Sequence, residues 1–140
     1  MIEFNYLSYE LPDRTLIARP VIDCSIINPI TKKGIYVAGI LDSGSDYILM
    51  SRTLALHLGF DLNDSNVKQI SGLGSSIKTI TCNAKLNFSG TYTLSNAPIE
   101  VCIDESDETM ESIQIIFGRR GLFSEFDIEF KREGKITFKK

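Results

Sequence analysis

The residues best suited to chemistry are Asp42-Ser43-Gly44, which directly follow an apolar run over residues 35–41. Such a run predicts a buried strand, so Asp42 is expected at a strand end, where a turn begins. Gly44 permits close backbone approach, and nearby amide donors can hold a carboxylate rigidly in a cleft. Asp42 is therefore a candidate catalytic acid, although Asp-Ser-Gly is also common turn chemistry.

A second segment with functional potential is Ser71-Gly72-Leu73-Gly74-Ser75-Ser76. Residues 67–70 before it and 77–80 after it are rich in strand-forming types, so the segment is predicted to be the tip of a hairpin. Small residues around a single leucine favour a flap that closes over a ligand, while an ordinary long hairpin explains the same pattern. A phosphate-binding loop is excluded, because no Lys-Ser or Lys-Thr pair follows and no helix begins there.

These segments must be positioned by a mostly β framework. Val, Ile, Thr, Phe and Tyr recur in short runs separated by Gly, Asn, Asp and Pro, which is typical of short strands joined by tight turns. The predicted strands span residues 16–27, 34–41, 48–50, 66–70, 77–88, 92–103, 113–117, 126–131 and 135–138. The last two are predicted to form a terminal β-hairpin, with one buried face and one wet face, within residues 126–139.

One helix is predicted after Ser51, whose hydroxyl can cap the free amide groups. Apolar residues then share one face, and Gly59 suits a left-handed stop. A second short helix is predicted around residues 119–123. The sole histidine, His57, is expected on the surface of the first helix, without the Ser, Cys or Asp neighbours that nucleophilic catalysis needs.

The composition indicates one globular domain over residues 1–140, with 43% hydrophobic and 24% charged residues. A formal net charge of −3 argues against nucleic acid as a partner. Three cysteines without a CxxC pair indicate thiols of a reducing compartment, and not a disulfide framework or zinc site. No segment has the pattern of a signal peptide or a membrane span, so the expectation is a cytoplasmic protein with no membrane partner.

An acidic stretch over residues 104–111 carries five carboxylates. A calcium loop is conceivable, but the stretch lacks the regular ligand spacing and the central glycine of the best-known motif. We therefore expect a solvated acidic loop.

In their order along the chain, three segments resemble the retropepsin-like aspartic peptidases, which include the retroviral proteases and their cellular and prokaryotic relatives. Residues 41–46, Leu-Asp-Ser-Gly-Ser-Asp, match the family's hydrophobic-Asp-Thr/Ser-Gly-Ala/Ser signature. Residues 68–78 resemble its flap, and residues 115–119, Ile-Ile-Phe-Gly-Arg, resemble its hydrophobic-hydrophobic-Gly motif with the adjoining arginine. The resemblance covers about residues 34–130 and implies an all-β fold: a small closed β-barrel of the acid-protease type, with one lobe per chain.

The resemblance further implies a homodimer in which two copies of Asp42 meet across a two-fold axis. Because the chain has no second Asp-Thr/Ser-Gly, symmetry must provide the second carboxylate. The pair would share one proton, with the charged member acting as general base on a bound water while the protonated member polarises the scissile carbonyl. The implied activity is an endopeptidase that cleaves extended peptides with hydrophobic side chains near the scissile bond, without a cofactor or a metal.

The resemblance also assigns roles to individual residues. Ser43 is expected to brace the active-site loops across the dimer axis, and Gly44 to offer its carbonyl to the substrate backbone. Asp46 is expected to bind substrate main chain and to form an ion pair with Arg119. Further substrate contacts are expected from the flap and the cleft walls, at Ile48, Ile70, Gly72, Leu73, Gly74 and Ile116.

The chain departs from the retroviral pattern in two ways. It has a helix after the active-site strand, as prokaryotic and cellular relatives do, and a complete terminal hairpin, so either chain end could build the dimer interface. A catalytically silent module of the same fold, which binds extended peptides or only dimerises, is the alternative function. The intact Asp42, Ser43 and Gly44 favour the enzyme.

Overall fold

The computed structural model describes residues 1–63, 66–72, 75–104 and 114–140. This part of the chain is mostly β, as predicted. Its elements are, in chain order, β1 (Ile2–Asn5), β2 (Leu7–Glu10), β3 (Leu16–Arg19), β4 (Val21–Ile27), β5 (Gly34–Leu41), β6 (Leu49–Met50), α1 (Arg52–His57), β7 (Lys68–Gly72), β8 (Ser75–Phe88), β9 (Tyr92–Cys102), β10 (Ile115–Phe117), β11 (Asp127–Lys131) and β12 (Lys135–Lys139).

Six of the strands close into a barrel in the order β4-β5-β10-β6-β9-β8, because β8 pairs with β4 as well as with β9. Strand β7 extends the sheet from β8, outside the closed ring. Along β4, Ile22, Cys24 and Ile26 alternate with partly exposed residues and are fully buried, as expected of a strand with one face in the core. The predicted closed β-barrel is confirmed.

Strand β10 lies between β5 and β6 and so determines what surrounds the end of β5. It runs parallel to β5, with Phe117 opposite Leu41, and antiparallel to β6, with Ile115 opposite Met50. The backbones are very close, since a Cβ atom at Gly39 would lie 2.7 Å from the carbonyl oxygen of Ile115. A larger residue at position 39 would push β10 away, so this glycine keeps the two strand ends, and the loops after them, side by side.

Helix α1 forms as predicted. The Ser51 hydroxyl accepts a hydrogen bond from the Leu54 N–H at 3.2 Å, which satisfies one free amide of the first turn. Gly59 ends the helix with a φ of +77°. His57 is exposed, as expected.

The terminal hairpin is also confirmed, with β11 and β12 in antiparallel register. It is joined by β1 to form a three-stranded sheet in the order β1-β12-β11. Phe138 of this sheet packs on Phe4 and on Phe126, which precedes β11, and Phe88 of the barrel packs on Phe126 and Phe138. This aromatic cluster fixes the terminal sheet against the barrel.

The prediction of one strand over residues 16–27 is wrong in extent. Pro20 divides it into β3 and β4, because proline has no N–H for a ladder and restricts the residue before it. Strands β1 and β2 were not predicted. Strands β2 and β3 pair only with each other, and residues 7–19, which contain both strands and their turn, are called the arm below.

The prediction of a helix around residues 119–123 is wrong. The Arg119 carbonyl accepts hydrogen bonds from Leu122 N–H at 3.2 Å and Phe123 N–H at 2.9 Å, which closes a turn. Gly121 has a φ of +84°, in the left-handed region, so a right-handed helix cannot continue through it. The segment is a run of turns instead.

Two predictions fall on undescribed parts of the chain. The acidic loop 104–111 lies outside the described residues except for Asp104, and so does Ile113, where a strand was predicted to begin. Within the described ranges, the one helix has six residues, and no helix there is long and apolar enough to cross a membrane.

Candidate active site

Asp42 stands where β5 ends, and its carboxylate is held by its own loop. The Gly44 N–H donates to Asp42 Oδ1 at 2.9 Å, and the Ser45 N–H donates to the Asp42 carbonyl at 3.2 Å. The Asp42 N–H continues the ladder to β10 by donating to the Phe117 carbonyl at 2.9 Å. The acid is therefore fixed at both its backbone and its side chain, while it stays exposed to solvent together with Ser43 and Gly44.

The loop after β10 fastens the Asp42 loop from the other side. The Arg119 N–H donates to the Ser45 carbonyl at 2.8 Å, and the Arg120 N–H donates to the Asp46 carbonyl at 2.9 Å. A Cβ atom at Gly118 would collide with the Tyr47 carbonyl and lie 2.7 Å from the Ser45 carbonyl oxygen. Only glycine allows the two loops to meet at this distance, which explains the Gly118 that follows the apolar strand.

A cleft with a volume of about 340 Å³ opens beside Asp42. On one side are Asp42 and the residues that follow it, and on the other is the hairpin formed by β7 and residues 75–79 of β8, called the flap hairpin below. The residues that line the cleft are Asp42, Gly44, Ser45, Asp46, Tyr47, Leu49, Ile70, Ser71, Ile77 and Ile116. The cleft thus combines the acidic side chains of Asp42 and Asp46 with an apolar lining.

Five of the residues predicted for the site meet in this cleft: Asp42, Gly44, Asp46, Ile70 and Ile116. Gly72 lies in the flap hairpin, where its backbone pairs with Ser75. Leu73 and Gly74 lie outside the described residues.

Ile48 does not line the cleft. It is fully buried in the core, whereas its neighbours Tyr47 and Leu49 face the cleft. Successive side chains on an extended segment point to opposite sides, so an assignment that is off by one residue selects the wrong face. Residues 47–50 are all hydrophobic types, so the sequence carried no local signal that identified the correct face.

The predicted ion pair between Asp46 and Arg119 is also absent. Both side chains border the same shallow depression, but no pair of described charged groups within 4.0 Å includes either of them. Arg119 acts through its backbone N–H, which bonds to Ser45. Two exposed charges gain little from pairing in water, so the backbone contacts suffice to join these loops.

One functional candidate was missed by the sequence reasoning: Glu100 on β9, which is 2% exposed. Its carboxylate accepts hydrogen bonds from Thr79 Oγ1 at 2.9 Å and Thr81 Oγ1 at 2.7 Å, and Lys68 Nζ lies 3.3 Å away. Lys68 and Thr79 are the last pair at the root of the flap hairpin. Glu100 therefore fastens this root to the barrel. A glutamate between Ile99 and Val101 in an apolar strand was the sequence signal that could have indicated a buried, hydrogen-bonded acid.

No protein-family model and no curated protein matches the sequence. Solved structures do match. The crystal structure of a retropepsin-like aspartic protease from Rickettsia conorii aligns with 97% of this chain and 98% of its own, with a TM-score of 0.56 and 16% sequence identity. The chain has the retropepsin-like fold. In this barrel, Asp42 directly follows β5, which lies between β4 and β10, and its side chain lines the cleft.

Proposed function

We propose that the chain is an aspartic endopeptidase that works as a homodimer, with a catalytic dyad built from Asp42 of each copy. The observation that carries this proposal is the Asp42 carboxylate, held by the Gly44 N–H at the rim of a cleft that the flap hairpin borders. The retropepsin-like fold supports it, because the matching solved structure, over 97% of this chain, is that of a retropepsin-like aspartic protease. A second copy is required because the sequence has one Asp-Thr/Ser-Gly segment, so symmetry must supply the second catalytic carboxylate.

The chemistry follows from two close carboxylates that share one proton. The charged carboxylate takes a proton from a water molecule as the water oxygen attacks the peptide carbonyl carbon. The protonated carboxylate gives its proton to the carbonyl oxygen, which yields a neutral tetrahedral diol. The protonated member of the dyad then gives its proton to the amide nitrogen while the charged member takes a proton from a diol hydroxyl. The C–N bond breaks, the amine and the carboxylic acid leave, and the dyad again holds one shared proton.

The cleft walls indicate the substrate. Leu49, Ile70, Ile77 and Ile116 make an apolar lining, so hydrophobic side chains near the scissile bond are favoured. An extended peptide can align with the flap hairpin and bond to backbone groups around Gly72, while Asp46 and the Gly44 carbonyl bind its main chain from below.

The proposal is tested by cleavage of a fluorescent, unfolded protein substrate at mildly acidic pH. Asp42→Asn keeps an oxygen for the Gly44 N–H, so the loop is retained while the proton chemistry is lost, and kcat is expected to fall by about 10²-fold or more. The matched control is Asp61→Asn, because exposed Asp61 accepts the Asn63 N–H at 2.9 Å in the same local geometry. Asp61→Asn should leave kcat unchanged.

A subunit-mixing experiment tests the shared dyad. After exchange of equal amounts of wild type and Asp42→Asn, about one quarter of the dimers carry two intact acids, so activity should fall to about one quarter of the undiluted wild-type value. Activity of about one half would mean that each chain works alone and would overturn the dyad. Undiminished cleavage by Asp42→Asn would overturn the role of Asp42 as the catalytic acid, whereas a dimeric wild type that cleaves no substrate would favour the silent peptide-binding module.

A further inference from the structure

The arm is a hairpin that its own barrel leaves uncovered. Strands β2 and β3 pair only with each other in the described structure, and all their residues are exposed. A two-stranded hairpin by itself is marginally stable in water. A segment of this kind gains order when another surface packs against it.

The arm also concentrates exposed apolar side chains. Leu7, Tyr9 and Ile17 share one face, since Leu7 and Tyr9 alternate along β2 and Ile17 lies opposite Tyr9. Leu16 stands on the other face with 72% of its surface exposed. These four are among the ten large hydrophobic residues that the described part of the chain exposes, and no other segment holds as many. A clustered apolar surface of this kind marks an interaction site.

The position of the arm identifies its partner. Strand β4 runs away from the Asp42 end of β5, with Val21 opposite Ile40, so the residues before Val21 extend past the end of β5. The Leu41 N–H donates to the Pro20 carbonyl at 2.8 Å, which places one root of the arm directly beside Asp42. At the other root, the Tyr6 N–H donates to the Gly134 carbonyl at 2.8 Å. The arm therefore projects from the end of the barrel that carries the Asp42 loop.

A second copy has to approach this same end if two Asp42 carboxylates are to meet. A stable interface buries about 800 Å² on each partner and involves about 20–30 residues a side. Three small residues, Asp42-Ser43-Gly44, cannot provide that area. The arm stands where the second copy arrives and has the apolar surface that the loops lack.

We infer that the arm, residues 7–19, is the surface through which two copies of this chain dimerise, with Leu7, Tyr9 and Ile17 packed against the other copy. The inference rests on the proposed homodimer and adds the part of the chain that holds it together. It also makes the arm a condition for activity, because the dyad forms only while the arms keep both Asp42 loops in contact.

The inference is tested by sedimentation velocity over a protein concentration series. The variant Tyr9→Ser/Ile17→Ser should raise the dimer dissociation constant by about tenfold or more, as the loss of central apolar anchors does. Leu7→Lys provides a second variant, because a side chain that is 48% exposed can change without affecting the fold and a charge would oppose burial in an interface. Circular dichroism confirms that each variant is folded.

The matched control is Ile30→Ser. Ile30 is 89% exposed and lies in the turn between β4 and β5, at the end of these strands opposite to Asp42. The same loss of an exposed aliphatic side chain there should leave the dissociation constant unchanged. Asp42→Asn should also remain dimeric, which separates assembly from chemistry.

The outcomes distinguish this inference from the proposed function. If both arm variants dimerise as tightly as wild type, the arm is not the interface, whatever Asp42→Asn does to activity. A wild type that stays monomeric at all concentrations also overturns the inference and leaves the arm to another partner. The inference is supported if the arm variants lose activity at low concentration and recover wild-type activity at concentrations that restore the dimer.

Discussion

The two hairpins that project from the barrel differ in what holds them. The flap hairpin shares β8 with the barrel, and Glu100 fastens its root through Lys68, Thr79 and Thr81. The arm shares no strand with the barrel and is tied at its two roots by backbone hydrogen bonds. The first hairpin is thus stabilised within its own chain, whereas we propose that the second is stabilised by another copy of the chain. The root of the flap hairpin packs on the buried Glu100 carboxylate, whereas the arm has an exposed apolar face.

The largest expected effect comes from Glu100→Ala. It leaves two threonine hydroxyls and a lysine without their shared acceptor, and a cavity in place of the carboxylate, so the free energy of unfolding should fall by about 2–3 kcal/mol. Urea denaturation measures it. The control is Glu3→Ala, because the exposed Glu3 carboxylate lies 3.9 Å from Lys131 Nζ at the surface, and its loss should cost about 0.5 kcal/mol or less. Equal losses in both variants would show that burial of Glu100 does not stabilise the flap root.

Amide hydrogen exchange should separate the two hairpins by their concentration dependence. At a total protein concentration ten times the dimer dissociation constant, about one fifth of the chains remain monomeric, so arm amides should exchange about fivefold more slowly than in the monomer, a gain of ~1 kcal/mol. Amides at the flap root, residues 68–70 and 77–79, should exchange at the same rate at both concentrations. Arm amides that exchange at the same rate at both protein concentrations would contradict the proposal that a second copy stabilises the arm.

A smaller effect is expected from Lys68→Met. The lysine side chain is 49% exposed and lies 3.3 Å from Glu100, so water weakens the pair and the loss should be about 0.5–1 kcal/mol. Because the charges are partly screened, the difference between wild type and variant should shrink in 1 M salt. Lys78→Met, on the exposed side of β8, is the control and should change stability by less.

The smallest effect is expected within the arm itself. The Arg19 guanidinium lies 5.3 Å from the centroid of the Tyr9 ring, a cation–π contact at an exposed site worth about 0.5 kcal/mol. Arg19→Gln should therefore speed the exchange of arm amides in the monomer by about twofold, without a change in global unfolding. Arg132→Gln, in the turn of the terminal hairpin, should leave the arm unaffected.

Several parts of the fold were predictable because they depend on neighbours along the chain. The cap of α1 depends on Ser51 and the N–H three residues later, and the Asp42 loop on an amide two residues later. The terminal hairpin follows from alternation and one turn. Local hydrogen bonds and the alternation of apolar and polar side chains depend only on residues a few positions apart, so these predictions were confirmed.

Other parts depended on packing between distant segments. The face of Ile48 is set by β9 and β10, which lie far along the chain, and the local pattern around it allows either face. The missing contact between Asp46 and Arg119 reflects backbone bonds that already join their loops. Strands β1 and β2 are short, and β1 is defined by pairing with β12, more than a hundred residues later.

The sequence by itself determined that the chain is mostly β and that Asp42 begins a turn after a buried strand, since period and turn chemistry act over a few residues. Only the tertiary structure decided that Tyr47 and Leu49 face the cleft, that Glu100 is buried under the flap root, and that the arm stands uncovered beside Asp42. The physical reason is that burial depends on contacts between segments that are distant in sequence, so a residue's exposure to solvent is set by which other segments pack on it.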